Sequence, residues 1–172
     1  MCIRDRNKTP SSAIALADVH RHTGNLYLQR RLYDKANQSY ERALEIVQGV
    51  GACGLLAELS CEMAVLSYLQ GEHADAVVGF RESLATYDEV FGSEHRSPHK
   101  AASYLGLGLC RHELDGTYDE VSLAAGADLA KGLTDDGYAD LEMLALFKMR
   151  VKELEMKVLG GHPSSLPAAA VT

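Results

Sequence analysis

The segment RRLYDKANQSYERALEIV, residues Arg30–Val47, is answered by GEHADAVVGFRESLATYDEV, residues Gly71–Val90. Aligned on Ala36 and Ala76, Tyr33 falls on His73, Tyr40 on Phe80, Ala43 on Ser83, Leu44 on Leu84 and Val47 on Tyr87. Steps of three, four, three, one and three residues put each set on one face of a helix with 3.6 residues per turn. Bulk alternates along that face. A small residue once per turn lets a second helix approach, and the rings fill the space beside it. Each segment therefore predicts a helix built for a tight helical pair.

The remaining chain has the same character. Apolar periodicity with capping and stop residues predicts helices over Ser11–Arg30, Tyr33–Gln48, Gly54–Gln70, His73–Val90, Pro98–Asp115, Thr117–Leu133 and Asp136–Leu159. Ser97 is placed to cap the fifth, with Pro98 at its first turn. Gly49, Gly51, Gly92 and Gly116 read as stops. The offset is 40 residues from Ala36 to Ala76 and 45 from Phe80 to Ala125, periods that predict stacked helical repeats. The expected fold is all-α: a right-handed helical-repeat solenoid of about three helix-turn-helix pairs plus a C-terminal capping helix, spanning residues 11–159.

Composition agrees. The 172 residues are 47% apolar and 24% charged, with only four prolines. A chain of this length can bury roughly 70% of its unfolded surface. A net charge of −7 argues against nucleic acid, whose phosphates need a basic surface. No run approaches a membrane-spanning length. Cys2, Cys53, Cys61 and Cys110 form no C-x-x-C pair, which predicts free thiols and a reducing, cytoplasmic setting. Residues 1–6, MCIRDR, match the translation of a transposon-end adapter used in DNA library preparation. They read as a processing scar on a non-native tail over 1–10, with the native start lying upstream. Residues 160–172 read as a disordered tail or the start of a linker.

The pattern resembles the tetratricopeptide repeat. Gly24, Tyr27, Ala36, Tyr40 and Ala43 stand at that family's spacing in the first repeat. Gly71, Ala76 and Phe80 do so in the second, with Ala64, Ser67 and Ser83 as departures. Leu107, Gly108, Gly116, Tyr118, Ala125 and Leu129 fit a degenerate third, where Asp128 occupies a packing position and is expected at an exposed edge or with a partner. YDEVFGSEHRSPHKAASYLGLG, Tyr87–Gly108, is similar to the connection between repeats in kinesin light chains.

The resemblance implies a concave face, lined by the first helix of each repeat, that binds a partner peptide. By register this face comprises Asp18, Arg21 and Asn25, then Glu58, Cys61, Glu62 and Val65, then Ala102 and Leu105. Asn25 matches an asparagine that some members use to hold a peptide backbone or terminal carboxylate. The lysines and arginines of such a clamp are replaced here by Glu58 and Glu62, so a partner with basic residues is expected instead. The last helix carries two apolar stripes. Leu144, Phe147, Val151, Leu154 and Val158 form one, and Met143, Met149 and Met156 the other. Met149 and Met156 are candidates for weak self-association.

No catalytic motif is present: no P-loop, G-x-G-x-x-G, H-E-x-x-H or G-x-S-x-G. His95 and His99 have a zinc-like spacing, but Ser97 and Pro98 start a helix between them, so no metal or cofactor is expected. The expected function is a non-enzymatic protein-binding scaffold. The alternative is a regulatory or oligomerising repeat segment of a larger multidomain protein, an enzyme included, whose catalytic part lies elsewhere.

Overall fold

The computed structural model describes residues 10–51, 53–134 and 142–158. Those residues are all-helical, with seven helices and no strand among them. They are α1 (Pro10–Gln29), α2 (Tyr33–Val50), α3 (Cys53–Gln70), α4 (His73–Phe91), α5 (Pro98–Asp115), α6 (Glu120–Thr134) and α7 (Glu142–Val158). The adapter-like residues 1–6, Cys2, the side chain of Cys53, Asp140 and the tail 160–172 lie outside what is described. None of the described helices is long and apolar enough to cross a membrane.

The 40-residue offset is a repeat of backbone geometry. In the turn after α1, Arg31 N donates to Leu28 O at 2.9 Å and Leu32 N to Tyr27 O at 2.9 Å. Forty residues on, Gly71 N donates to Tyr68 O at 3.1 Å and Glu72 N to Ser67 O at 2.9 Å. Each turn needs a left-handed residue. Gly71 supplies it at φ 84°, where glycine has no steric objection. Arg31 supplies it at φ 58° and is the one described non-glycine residue with positive φ.

The paired faces are buried in register. Ala36 and Ala76, Tyr40 and Phe80, and Ala43 and Ser83 are all fully buried, and Val47 and Tyr87 nearly so. The glycines opposite the rings show why. A Cβ on Gly24 would stand 2.4 Å from the Tyr40 ring, and one on Gly106 would stand 2.4 Å from the Phe80 ring. The rings thus use the space those glycines leave open.

Consecutive helices form three hairpins: α1 with α2, α3 with α4, and α5 with α6. The second helix of one hairpin packs on the first of the next, α2 on α3 and α4 on α5. The first helices also touch in sequence, α1 with α3 and α3 with α5. Ser97 caps α5 as expected, accepting a hydrogen bond from Lys100 N at 3.0 Å. The sixth helix starts at Glu120 rather than Thr117. Asp119 Oδ1 accepts from Ser122 N at 3.1 Å and so acts as the cap, while Thr117 bonds back to the carboxylate of Asp115.

α7 packs on α5 and, more lightly, on α6. It also reaches the first row of helices. Phe147 meets Tyr68 of α3 edge-on at 5.3 Å and Phe80 of α4 at 5.8 Å between ring centroids. Phe147 is fully buried, and Leu144, Val151 and Leu154 join it in one core with Cys61, Val65, Ala102, Leu105 and Leu109.

Candidate functional site

The expected face residues lie on a row formed by α1, α3 and α5. Helical spacing brings Asp18, Arg21 and Asn25 to one side of α1 and Glu58, Glu62 and Val65 to the facing side of α3. Arg21 is the hub. Its guanidinium lies 2.8 Å from Asp18 Oδ1, 3.2 Å from Glu58 Oε2 and 2.8 Å from Glu62 Oε1. Burial alone would lower the Arg21 pKa. The carboxylates of Glu62, Glu58 and Asp18 outweigh it and leave the group above its ordinary value, so Arg21 is always charged.

Glu62 is the buried partner, with a side chain only 3% exposed. Its Oε1 accepts from Arg21, from Asn25 Nδ2 at 2.8 Å, and faces His99 Nε2 of α5 at 3.3 Å. Its Oε2 is buried and has no hydrogen-bond partner among the described residues. A buried acceptor left without a donor costs on the order of 1–3 kcal/mol. Tyr40 donates its hydroxyl to Asn25 Oδ1, closing the network from α2. Burial first, and Glu62 second, push the Tyr40 pKa well above the usual phenol range.

Three carboxylates therefore face one guanidinium. Asp18 and Glu58 keep 46% and 33% of their side chains exposed, so their unspent charge meets solvent. Asn25, which sequence offered as a group for a partner's backbone, is engaged on both sides of its amide within the chain.

Besides Arg21 and Glu62, four of the expected face residues are buried and do not present an open surface. Cys61 and Ala102 are fully buried, and Val65 and Leu105 almost so. The reason is α7, which fills this side of α3 and α5. Cys61 Sγ lies 3.9 Å from Met143 Sδ and 3.3 Å from the carbonyl of His99. Burial pushes its thiol pKa far up, as it does that of Cys110, to about 12. Leu105 turns away from the face altogether. A Cβ on Gly126 of α6 would stand 2.7 Å from its side chain, which marks where Leu105 points.

What remains open is a pocket of about 460 Å³ between α1, α3 and α7. Leu28, Val65, Leu69, Met143 and Leu146 give it apolar walls, and Asn25, Glu62, Arg31 and Arg150 its polar points. Arg31 and Arg150 were not singled out by sequence, and Met143 only as part of an apolar stripe on the last helix, because this pocket exists only where α7 crosses the row. His99 was weighed only as a metal ligand. Its ring turns to Glu62, while His95 stacks on Phe91 at 4.6 Å. Asp128 does stand at an exposed edge, its side chain 78% exposed beside Arg96.

Compared with protein-family models, with curated proteins and with solved structures, the chain matches none.

Proposed function

We propose that this protein is a non-enzymatic, cytoplasmic scaffold that binds a partner peptide along the inner face of a right-handed solenoid of tetratricopeptide-like repeats. The atom-by-atom repetition of the α1–α2 and α3–α4 turns supports the repeat reading, as does the burial of matched residues in each second helix. The observation that carries the function is the charge imbalance on the inner face. Asp18, Glu58 and Glu62 all pair with Arg21, and the two partly exposed carboxylates keep solvent-facing charge that attracts a basic partner. Rim charges of this kind act through association rate and salt dependence.

The test is a peptide array probed at low and high salt, with the wild-type chain and with Asp18→Lys/Glu58→Lys. Basic peptides should dominate at low salt and weaken at high salt. The double variant should lose them by about tenfold or more. Dominance of acidic peptides, or basic binders indifferent to the charge reversal, ends the reading.

A second reading, an oligomerising segment of a larger protein, draws on the outer side of α7. Met149, Met156 and Val158 are 51%, 62% and 48% exposed there.

A further inference from the structure

α7 covers the inner face without matching it. Its apolar residues Leu144, Phe147, Val151 and Leu154 follow an i, i+3, i+7, i+10 spacing and fill the floor between α3 and α5. Open space remains on both sides of it. The pocket against α1 is about 460 Å³, and a second, beside Tyr68, His73, Leu109, His112 and Glu113, is about 380 Å³. Arg150 lines both. The trough is wider than the helix lying in it.

The polar groups of the trough show the same mismatch. Glu62 Oε2, His73 Nδ1 and His112 Nδ1 are buried atoms without a hydrogen-bond partner among the described residues, and all three residues line these two pockets. On the Glu62 side α7 offers Met143 and Leu146, which cannot donate a hydrogen bond, and Arg150, whose guanidinium is paired with Glu153 at 3.2 Å rather than with Glu62. A buried carboxylate oxygen without a donor favours an occupant that brings one.

We infer that α7 occupies the seat of an amphipathic partner helix, and that a partner with the same apolar spacing and a basic residue facing Glu62 displaces it. This rests on the scaffold reading and specifies the partner of the same face. The aromatic at the second apolar position enters the slot between Tyr68 and Phe80, as Phe147 does. A Lys or Arg in place of Met143 or Leu146 reaches Glu62 Oε2, where α7 leaves it unpaired. Tethering gives α7 a high effective concentration, so displacement needs the better match. Weak binders of the face are excluded by the chain itself, and the bound fraction follows the difference in affinity between the two occupants.

The experiment uses the full chain and two labelled peptides. One has the sequence of Glu142–Val158 and the other carries Met143→Lys. Fluorescence anisotropy is read on the wild type and on Phe147→Asp, whose own α7 cannot seat. The Lys peptide should bind Phe147→Asp at least tenfold more tightly than wild type, and at least tenfold more tightly than the unaltered peptide does. Equal binding of both peptides, or no binding to a Phe147→Asp chain that is folded by circular dichroism, overturns the inference. Should that variant fail to fold, the wild type decides. N-ethylmaleimide labelling with peptide mapping should modify Cys61, under α7, at least tenfold faster than Cys110. Equal rates mean that α7 leaves only on global unfolding, which also overturns it. Basic peptides that still bind through Asp18 and Glu58 under either negative result would leave the scaffold reading standing.

Discussion

Arg21 Nη1 of α1 lies 2.8 Å from Glu62 Oε1 of α3, and the two side chains are 11% and 3% exposed. Removing one partner of such a pair strands the other charge away from water. Arg21→Met should cost about 3 kcal/mol, in line with other broken buried pairs. The double change Arg21→Met/Glu62→Leu should regain most of that loss, because the carboxylates it leaves unpaired, Asp18 and Glu58, reach solvent. Urea unfolding followed by circular dichroism measures both, and a single variant within 1 kcal/mol of wild type would show the pair to be inconsequential.

The two equivalent turns differ in one residue. Arg31 holds a left-handed conformation that Gly71 adopts freely. Arg31→Gly should stabilise the chain by about 0.5–1 kcal/mol, and Gly71→Ala should destabilise it by about 1 kcal/mol. The measurement is the shift of the urea midpoint at unchanged slope. Opposite signs at the two positions are required.

Two helical glycines should respond in opposite directions to alanine. Gly106→Ala drives a methyl toward the Phe80 ring, which Phe147 holds from another side, and should cost about 1–3 kcal/mol. Gly49, expected as a stop, lies inside α2, which is stopped by Gly51 instead, and it has nothing within 4 Å of its Cβ position. Gly49→Ala should therefore stabilise, by up to about 1 kcal/mol, through helix propensity alone. Thermal unfolding of the two variants separates packing from propensity.

Alkaline pH should weaken the fold. Burial raises the folded pKa of Cys110 from 9.0 to about 12 and raises those of Cys61, Tyr40 and Tyr87 beyond the usual range. Below the unfolded values these groups are neutral in both states and stability is full. Above about pH 9 the unfolded thiols lose protons that the folded ones keep. Stability then falls with rising pH, by about 1.4 kcal/mol per unit for each such group. Cys61→Ala/Cys110→Ala should flatten the decline between pH 9 and 11, and an unchanged slope would assign it elsewhere.

Met149 and Val151 sit on opposite sides of α7, one 51% and the other 8% exposed. An exposed methionine stripe at Met149 and Met156 should support weak self-association. Sedimentation velocity over a hundredfold concentration range should show a dimer at the upper end that Met149→Glu/Met156→Glu removes. A monomer throughout would leave the stripe as ordinary surface.

Much of this was determined by the sequence alone. Local periodicity and stop residues set the helices, since a face repeating every 3.6 residues and a glycine or cap at each end are short-range properties. Ser97, Pro98 and Gly116 marked the ends of α5 for that reason, whereas α6 began three residues late because Asp119 outcompeted Thr117 as its cap. Helical register placed Asp18, Arg21 and Asn25 on one side of one helix and Glu58 and Glu62 on one side of another, and only the family resemblance set the two sides on a common face. The tertiary structure decided what those residues do. That Glu62 is buried and half-satisfied depends on Arg21, 41 positions away, and on His99, 37 positions away. That Cys61, Val65 and Ala102 are covered rather than open depends on α7. Its two apolar stripes announced a need for burial but not which surface would meet it, because hydrophobic attraction has no direction and many faces could have satisfied it. The slot that takes Phe147 exists only once Tyr68 and Phe80, from two other helices, are already in place.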